Sequence, residues 1–450
     1  MSLGASRLKR RVLALVLVLW VGVGLIACGG YSAKLPPSGL ADRVLASQEV
    51  SATRSFGGLV VINGFNDTLA AVHELSAGNS PGLMAISPTR NIVVAFDSNS
   101  NSVYAVSTTT EANLGTVQLS GPTYSMVVPT AEANGYAAVP SARVDGFSFV
   151  GAVVAMNLST GATLNIAVPS AETVVANTTG AQLLVFSNGS DSMTVLNPTF
   201  ASPPVDTSCL ANTPNLVCTI VPGFSRPVYA IINGTNAYVF NCGFQCGGTQ
   251  QASIMVVNLG TLAITNTIPV NGATYGMIVG SNLYVAGLGT PTGPLCASIP
   301  SAAPTAATYC GTLDIIDLNT LLDPYYNNPS MEIAITDGTH DEMDMSSNGQ
   351  LFVGSYDCTN IGSVNNPNGE VRGCLAIYNT NNNTVVFPPD NGDVNGLQSF
   401  STRYVEYVAQ GGNLRVYDTV HDILLINDFV PQGSINITGY VGDVKAIDFF

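Results

Sequence analysis

Beyond about residue 57 the chain is a succession of short apolar runs rich in Val, Ile, Ala and Tyr, each closed by Gly, Pro, Asn or Asp. After residue 50 no run repeats convincingly at the 3.6-residue spacing of an amphipathic helix, so the pattern predicts strands throughout. The runs recur as a unit. Each unit offers an apolar strand and a turn, a strand of the type Asn-x-x-Val-x, a polar loop, a strand ending in Asn, Asp or Ser plus Thr, and a last strand before a Gly/Pro turn. One unit reads Val228-Tyr-Ala-Ile-Ile-Asn-Gly, Ala237-Tyr-Val-Phe, Ser253-Ile-Met-Val-Val-Asn and Ile264-Thr-Asn-Thr-Ile-Pro-Val. First strands begin near Leu83, Tyr124, Thr173, Val228, Tyr275, Glu342, Gly396 and Ile435. Four short strands every 40 to 50 residues or so describe a propeller blade, because one such sheet cannot bury both of its faces alone.

The ends complete the pattern. Ile435-Asn-Ile-Thr-Gly-Tyr and Asp443-Val-Lys-Ala-Ile-Asp-Phe-Phe read as the first two strands of a unit without its last two. Gly58-Leu-Val-Val-Ile-Asn-Gly and Thr68-Leu-Ala-Ala-Val-His-Glu-Leu read as the last two strands of a unit without its start. Joined, they form a composite blade that closes the ring and leaves no exposed edge. The fold class is therefore all-β: a β-propeller of four-stranded blades, eight by this count, or seven if the weak unit near Thr173 is misread. Asn101-Ser-Val-Tyr-Ala-Val, Asn282-Leu-Tyr-Val-Ala-Gly and Ile268-Pro-Val-Asn-Gly resemble the YVTN-type (YncE-like) repeats of exported bacterial propellers. That resemblance spans residues 57–450 and implies a fold and an exported habit, not a reaction.

The first 28 residues follow different rules. Arg7, Lys9, Arg10 and Arg11 precede an uncharged stretch over residues 12–27. Sixteen residues rise about 24 Å as a helix, short of a bilayer core of about 30 Å. Basic flank, short apolar stretch and small closing residues mark a processed signal. Leu25-Ile26-Ala27-Cys28 resembles the bacterial lipobox, which implies that Cys28 carries the lipid and that residues 1–27 are removed. Several acyl chains on one residue would hold the protein stably at a membrane. Gly29 in place of Asp resembles the pattern that permits transport to the outer membrane, on its periplasmic or outward side. Residues 28–56 then read as lipidated Cys and tether, and 57–450 as the propeller domain.

Charge narrows the partners. The chain carries −15, and four of its 14 basic residues lie in the first 28, which hold no acid, so the remainder stands near −19. Such a surface repels nucleic acid and anionic headgroups. An envelope protein or a glycan is the remaining partner class besides the lipid anchor itself. The single tryptophan is Trp20, so the propeller has none, which removes Trp-docked propeller types and the commonest sugar-stacking platform.

Nine cysteines less Cys28 leave an even set in an oxidising compartment. They fall as neighbours: Cys209 with Cys218, Cys242 with Cys246, Cys296 with Cys310, and Cys358 with Cys374. Local disulfides are expected; zinc ligation is the rival reading at Cys242 and Cys246. Three of the pairs sit in long second-to-third-strand loops, residues 242–252, 287–311 and 357–374, on one face of the ring. Stapled loops on a rigid scaffold point to a binding surface, with tolerated insertions stapled only against proteolysis as the alternative of equal weight.

Candidate chemistry is sparse. Asp337, Asp341, Glu342, Asp390 and Asp393 cluster at blade connections, a donor set suited to Ca2+, although ordinary turn-forming Asp and Asn are the preferred reading there. No cofactor is called for. His340 beside Asp341 and Glu342 is the one acid/base constellation, the basis for a cation-dependent, lactonase-like hydrolase as the alternative to a non-enzymatic binding or scaffold module. His73 is expected within a strand and His421 in a peripheral turn. Nucleophile elbows, phosphate loops and dinucleotide fingerprints are absent.

Overall fold

The computed structural model describes residues 35–49, 57–198, 207–209, 218–288, 311–328, 330–358, 374–388, 392–427 and 430–448. Cys28, the signal, Cys296, Cys310 and Asp390 lie outside them. Eight antiparallel sheets form, and their innermost strands contact one another in sequence around a central channel. Blades 1 to 7 take residues 81–118, 125–167, 171–222, 227–269, 275–335, 339–386 and 394–424. The chain is an eight-bladed β-propeller. The unit near Thr173 is a full blade, opened by the strand Ala171–Ala176.

Neighbour packing explains why these strands are so apolar. Alternate residues of one strand point to opposite sheet faces, and here both faces are covered. In blade 1, Val94 and Phe96 pack toward Val139 and Val154 of blade 2, while Val93 and Ala95 pack toward Leu45 and Leu59 of blade 8. One buried apolar cluster fills each of the eight junctions. At about 1.5–3 kcal/mol for each Val, Leu, Ile or Phe removed from water, these junctions dominate the stability of the ring.

Closure differs from the sequence expectation. Blade 8 takes one strand from the C-terminal part, Tyr440–Ile447, and three from the N-terminal part, Arg43–Glu49, Gly58–Asn63 and Thr68–Leu75. Arg43–Glu49 runs antiparallel to Tyr440–Ile447, from Arg43 opposite Ile447 to Glu49 opposite Tyr440. The propeller thus reaches back into residues 28–56, which the sequence assigns to a tether. Ile435 does not open a blade; it pairs with Leu414 of blade 7. The other seven predicted first strands fall within, or one residue before, an innermost strand.

Polar clamps reinforce the closure. Arg403 in a blade 7 turn donates through Nη1 and Nη2 to the two Asp67 oxygens of blade 8, each at 2.8 Å, and Tyr407 donates its hydroxyl to the same carboxylate. Elsewhere, Thr207–Ser208 adds in parallel to the outer strand Thr163–Ala167 of blade 2 and covers part of its edge.

Candidate functional site

The innermost strands start on the face that carries the blade-to-blade connections, and several are bulged there. Register shifts interrupt the pairing between Ala171 and Thr173, Pro227 and Tyr229, His340 and Glu342, and Val394 and Gly396. A bulge places one extra residue in the strand and re-aims its side chain. Asp341 is that residue in blade 6. Its side chain meets solvent in the channel, although protein on several sides limits its hydration. Burial, then the charges of Asp443 and Asp393, push its carboxyl up to about 7.

Beyond the bulge the strand Thr339–Met345 resumes alternation. Met343 enters the junction with blade 5; Glu342 and Asp344 face the blade 7 side. Gly396 of blade 7 makes room there, since a Cβ at that position would stand 2.4 Å from Asp443 Oδ1. Asp443, on the innermost strand of blade 8, accepts hydrogen bonds from the Met84 N–H at 2.7 Å and from Lys445 Nζ at 2.8 Å. Burial works against the Lys445 ammonium, but the charges of Asp443 and Glu342 outweigh it and raise its pKa. Glu342 is held well above the carboxylate range by burial, which Lys445 partly offsets and Asp443 and Asp341 reinforce. Glu406 behind them is fully buried; burial first, then Asp344, raises its pKa well above the ordinary carboxylate value. Behind one wall of the channel thus lies a set of carboxyl groups from blades 6 to 8 around the Lys445 ammonium.

His340 is not part of that wall. It is 1% exposed and packs over Gly311, where an added Cβ would come within 2.8 Å of the imidazole. Its Nε2–H donates to the Thr336 carbonyl at 2.8 Å, and burial lowers its pKa to about 4, so the ring is neutral at physiological pH. The sequence neighbours His340, Asp341 and Glu342 therefore do not combine into an acid/base site, because the bulge at Asp341 sends His340 and Glu342 to opposite faces of the sheet. His421 sits in a peripheral turn, exposed, with Nδ1 2.6 Å from Asp418 Oδ2, and His73 lies in the strand Thr68–Leu75, as expected.

Among the described residues the predicted calcium ligands do not converge; Asp390 lies outside them. Asp337 is buried, and Asp393 Oδ1 accepts the Asp357 N–H at 3.0 Å. Among the described residues, three ligand atoms lie within 4.8 Å of one another only at Cys358, Cys374 and Asp393. There the two sulfurs are bonded to each other, which leaves no thiolate to bind metal. Cys242 and Cys246 likewise form a disulfide rather than half of a zinc site, and Cys209 is joined to Cys218.

The structure is similar to several solved propellers. The dihydro-heme d1 dehydrogenase NirN, in complex with DHE, superposes with a TM-score of 0.57 at 11% identity, covering 92% of this chain and 79% of that one. BamB from Moraxella catarrhalis gives 0.46 at 10% identity, covering 85% and 92%. The likeness is one of fold. No family model matches the sequence, and no curated protein matches it.

The stapled face has a second feature that the sequence pattern did not isolate. Phe244 sits within the short 3-10 turn Gly243–Cys246 held by the Cys242–Cys246 bond, and is 63% exposed. Tyr124, Tyr356 and Tyr440, at starts of innermost strands or ends of second strands, are exposed on the same face. The opposite face exposes Phe65 and Tyr404 too, but in short hairpin turns without a stapled insertion.

Proposed function

We propose that this protein is an envelope-anchored lipoprotein of the YVTN-repeat type whose propeller binds a partner macromolecule, an envelope protein or glycan, through its stapled face. Phe244 carries the reading. A large apolar ring held out into solvent by a disulfide has little conformational freedom left to lose on binding, the property that makes aromatic anchors effective. The second disulfide, Cys358–Cys374, lies on the same face next to Asp393, and Tyr124, Tyr356 and Tyr440 are exposed there. Cys28, at the end of the signal, supplies the lipid and with it an outer-membrane address. The hydrolytic alternative is not put forward, since His340 is turned into a blade junction.

The test is in-cell cross-linking from a photoreactive phenylalanine analogue at position 244, with position 65 as the control on the other face. A discrete adduct from 244 and none from 65 is expected. Equal or absent adducts from both positions would remove the rim as the binding surface. In the same cells, Cys28→Ser is expected to abolish lipid labelling and release the protein from the membrane fraction; unchanged fractionation would refute the anchor.

A further inference from the structure

Second-to-third-strand loops lie on the stapled face, and first-to-second and third-to-fourth turns lie on the face opposite. Ser38 fastens the chain to that opposite face. It donates its N–H and hydroxyl to the Glu111 carboxylate, both at 2.6 Å, and Glu111 stands in the third-to-fourth turn of blade 1. The Gly64 N–H donates to the Asp42 carbonyl at 3.1 Å, which joins the same stretch to the blade 8 turn at 64–67. Arg403 links that turn to the blade 7 turn at 400–404. The Thr419 N–H donates to the Tyr404 carbonyl at 3.1 Å and brings in the next blade 7 turn. Each of these joined segments leaves one large apolar side chain more than half exposed: Leu35, Phe65, Tyr404 and Val420. Their acids do not face outward. The side chains of Glu111, Asp67 and Asp448 are each 1% exposed, paired with Arg43, Arg403 and Arg90. The stapled face, in contrast, exposes Asp145, Asp191 and Asp357.

We propose that this patch rests on the bilayer that holds the Cys28 lipid, so that the stapled rim points away from the membrane. The inference rests on the lipidation of Cys28. Leu35 lies seven residues after Cys28, so the lipid is held within about 25 Å of it. The strand Tyr440–Ile447, eight residues long, spans about 26 Å from one face to the other. A tether running up the outside of the ring would be spent before the stapled loops reached the bilayer. Aromatic side chains such as Phe65 and Tyr404 suit the headgroup boundary, which is apolar on one side and wet on the other. A few such side chains bind a membrane weakly by themselves; the lipid supplies the affinity and the patch sets the orientation. A photoreactive probe at position 65 then meets lipid and leaves no protein adduct, which suits it as the control for position 244.

With residues 1–27 removed the chain holds no tryptophan, so a single introduced indole reports alone. Phe65→Trp, Tyr404→Trp and, on the stapled face, Phe244→Trp are purified as lipoproteins and reconstituted in phosphatidylcholine vesicles with and without brominated acyl chains. Bromine quenches indoles that enter the interface. Quenching of about twofold or more, with blue-shifted emission, is expected at positions 65 and 404 and none at 244. Val420→Trp gives the same reading in the third turn should an aromatic variant fail to fold. In the same samples the mass of the N-terminal peptide and flotation with the vesicles read the anchor. Lipidated, floating protein quenched no more at 65, 404 and 420 than at 244 would overturn the orientation and leave the anchor standing; a patch covered by a protein or a second copy gives that result. A chain that carries no lipid and does not float would overturn both.

Discussion

Arg43→Met is expected to destabilise the propeller by about 3–5 kcal/mol, the cost typical of leaving one buried charge without its partner. Arg43 is 1% exposed, and its guanidinium donates to the Thr108 carbonyl at 2.7 Å and to Glu111 Oε1 at 2.5 Å. Glu111 in turn receives the N–H and hydroxyl of Ser38, both at 2.6 Å. The contact ties residues 38–43 to a blade 1 turn and seats Arg43–Glu49 in the closing blade. Its loss should therefore appear twice. The urea midpoint falls, and residues 35–49 become cleavable by protease before the rest of the ring. Adding Glu111→Gln removes the stranded negative charge, keeps one acceptor oxygen for the Ser38 N–H while its amide can donate to the Ser38 hydroxyl, and is expected to recover much of the loss, as pairs that share a network are not additive. A single variant as stable as the parent would show that the ion pair contributes nothing to closure.

The same strand shows where the sequence stops being legible. Blade periodicity is visible because its cause is local: residues such as Val93 and Val94 face opposite junctions, so both must be apolar. The disulfides are visible for a similar reason, since each bonded pair is separated by at most 16 residues. Arg43–Glu49 has no such signature. Its buried Arg43, Ser47 and Gln48 are polar, and their partners lie at Thr108 and Glu111, at Asp443, and at Thr438. Without those distant acceptors the segment reads as a solvated tether, and the one-plus-three closure reads as two-plus-two.

The candidate site divides along the same line. Asp341 and Glu342 were visible as a carboxylate run, and they do reach the channel region. That His340 turns away depends on a bulge and on Gly311, neither of which a local pattern encodes. Asp443 and Lys445 alternate on one strand face, which was readable, but their meeting with Glu342 requires the ring to close across Gly396. The aromatic contact between blades 4 and 5 was hidden more deeply. Tyr229 and Tyr275 belong to strands whose composition is that of any blade, and only the ring arrangement stacks their side chains, with centroids 4.6 Å apart.

Raising the pH from 5 to 9 is expected to lower the melting temperature progressively, most steeply below about pH 6 and more shallowly up to about pH 8. The cause is a set of carboxyls that the fold keeps protonated. Burial, then Asp323, raises Asp314 from 3.8 to about 8; burial raises Asp323 to about 6, and burial with Asp418 raises Asp422 to about 6. Asp341, at about 7, adds to the same window. A carboxyl whose folded pKa lies above its unfolded value binds its proton more tightly in the folded state. Its stabilising contribution is complete below the unfolded value near 3.8 and is lost as pH rises through the folded one. Asp314 should have the largest single effect. It is fully buried on the third strand of blade 5, where the Asn271 N–H and side-chain amide donate to its two oxygens at 2.8 and 2.6 Å, and Asp323 Oδ2 has no hydrogen-bond partner. A rise of this size corresponds to several kcal/mol at about 1.4 kcal/mol per pH unit. Asp314→Asn keeps an acceptor for Asn271, never ionises, and offers an N–H toward Asp323. It is expected to leave the melting temperature near pH 5 little changed, to raise it at pH 9, and to flatten the slope between. A variant whose melting curve runs parallel to the parent's across the whole range would show that ionisation of Asp314 is not what loosens the ring at alkaline pH.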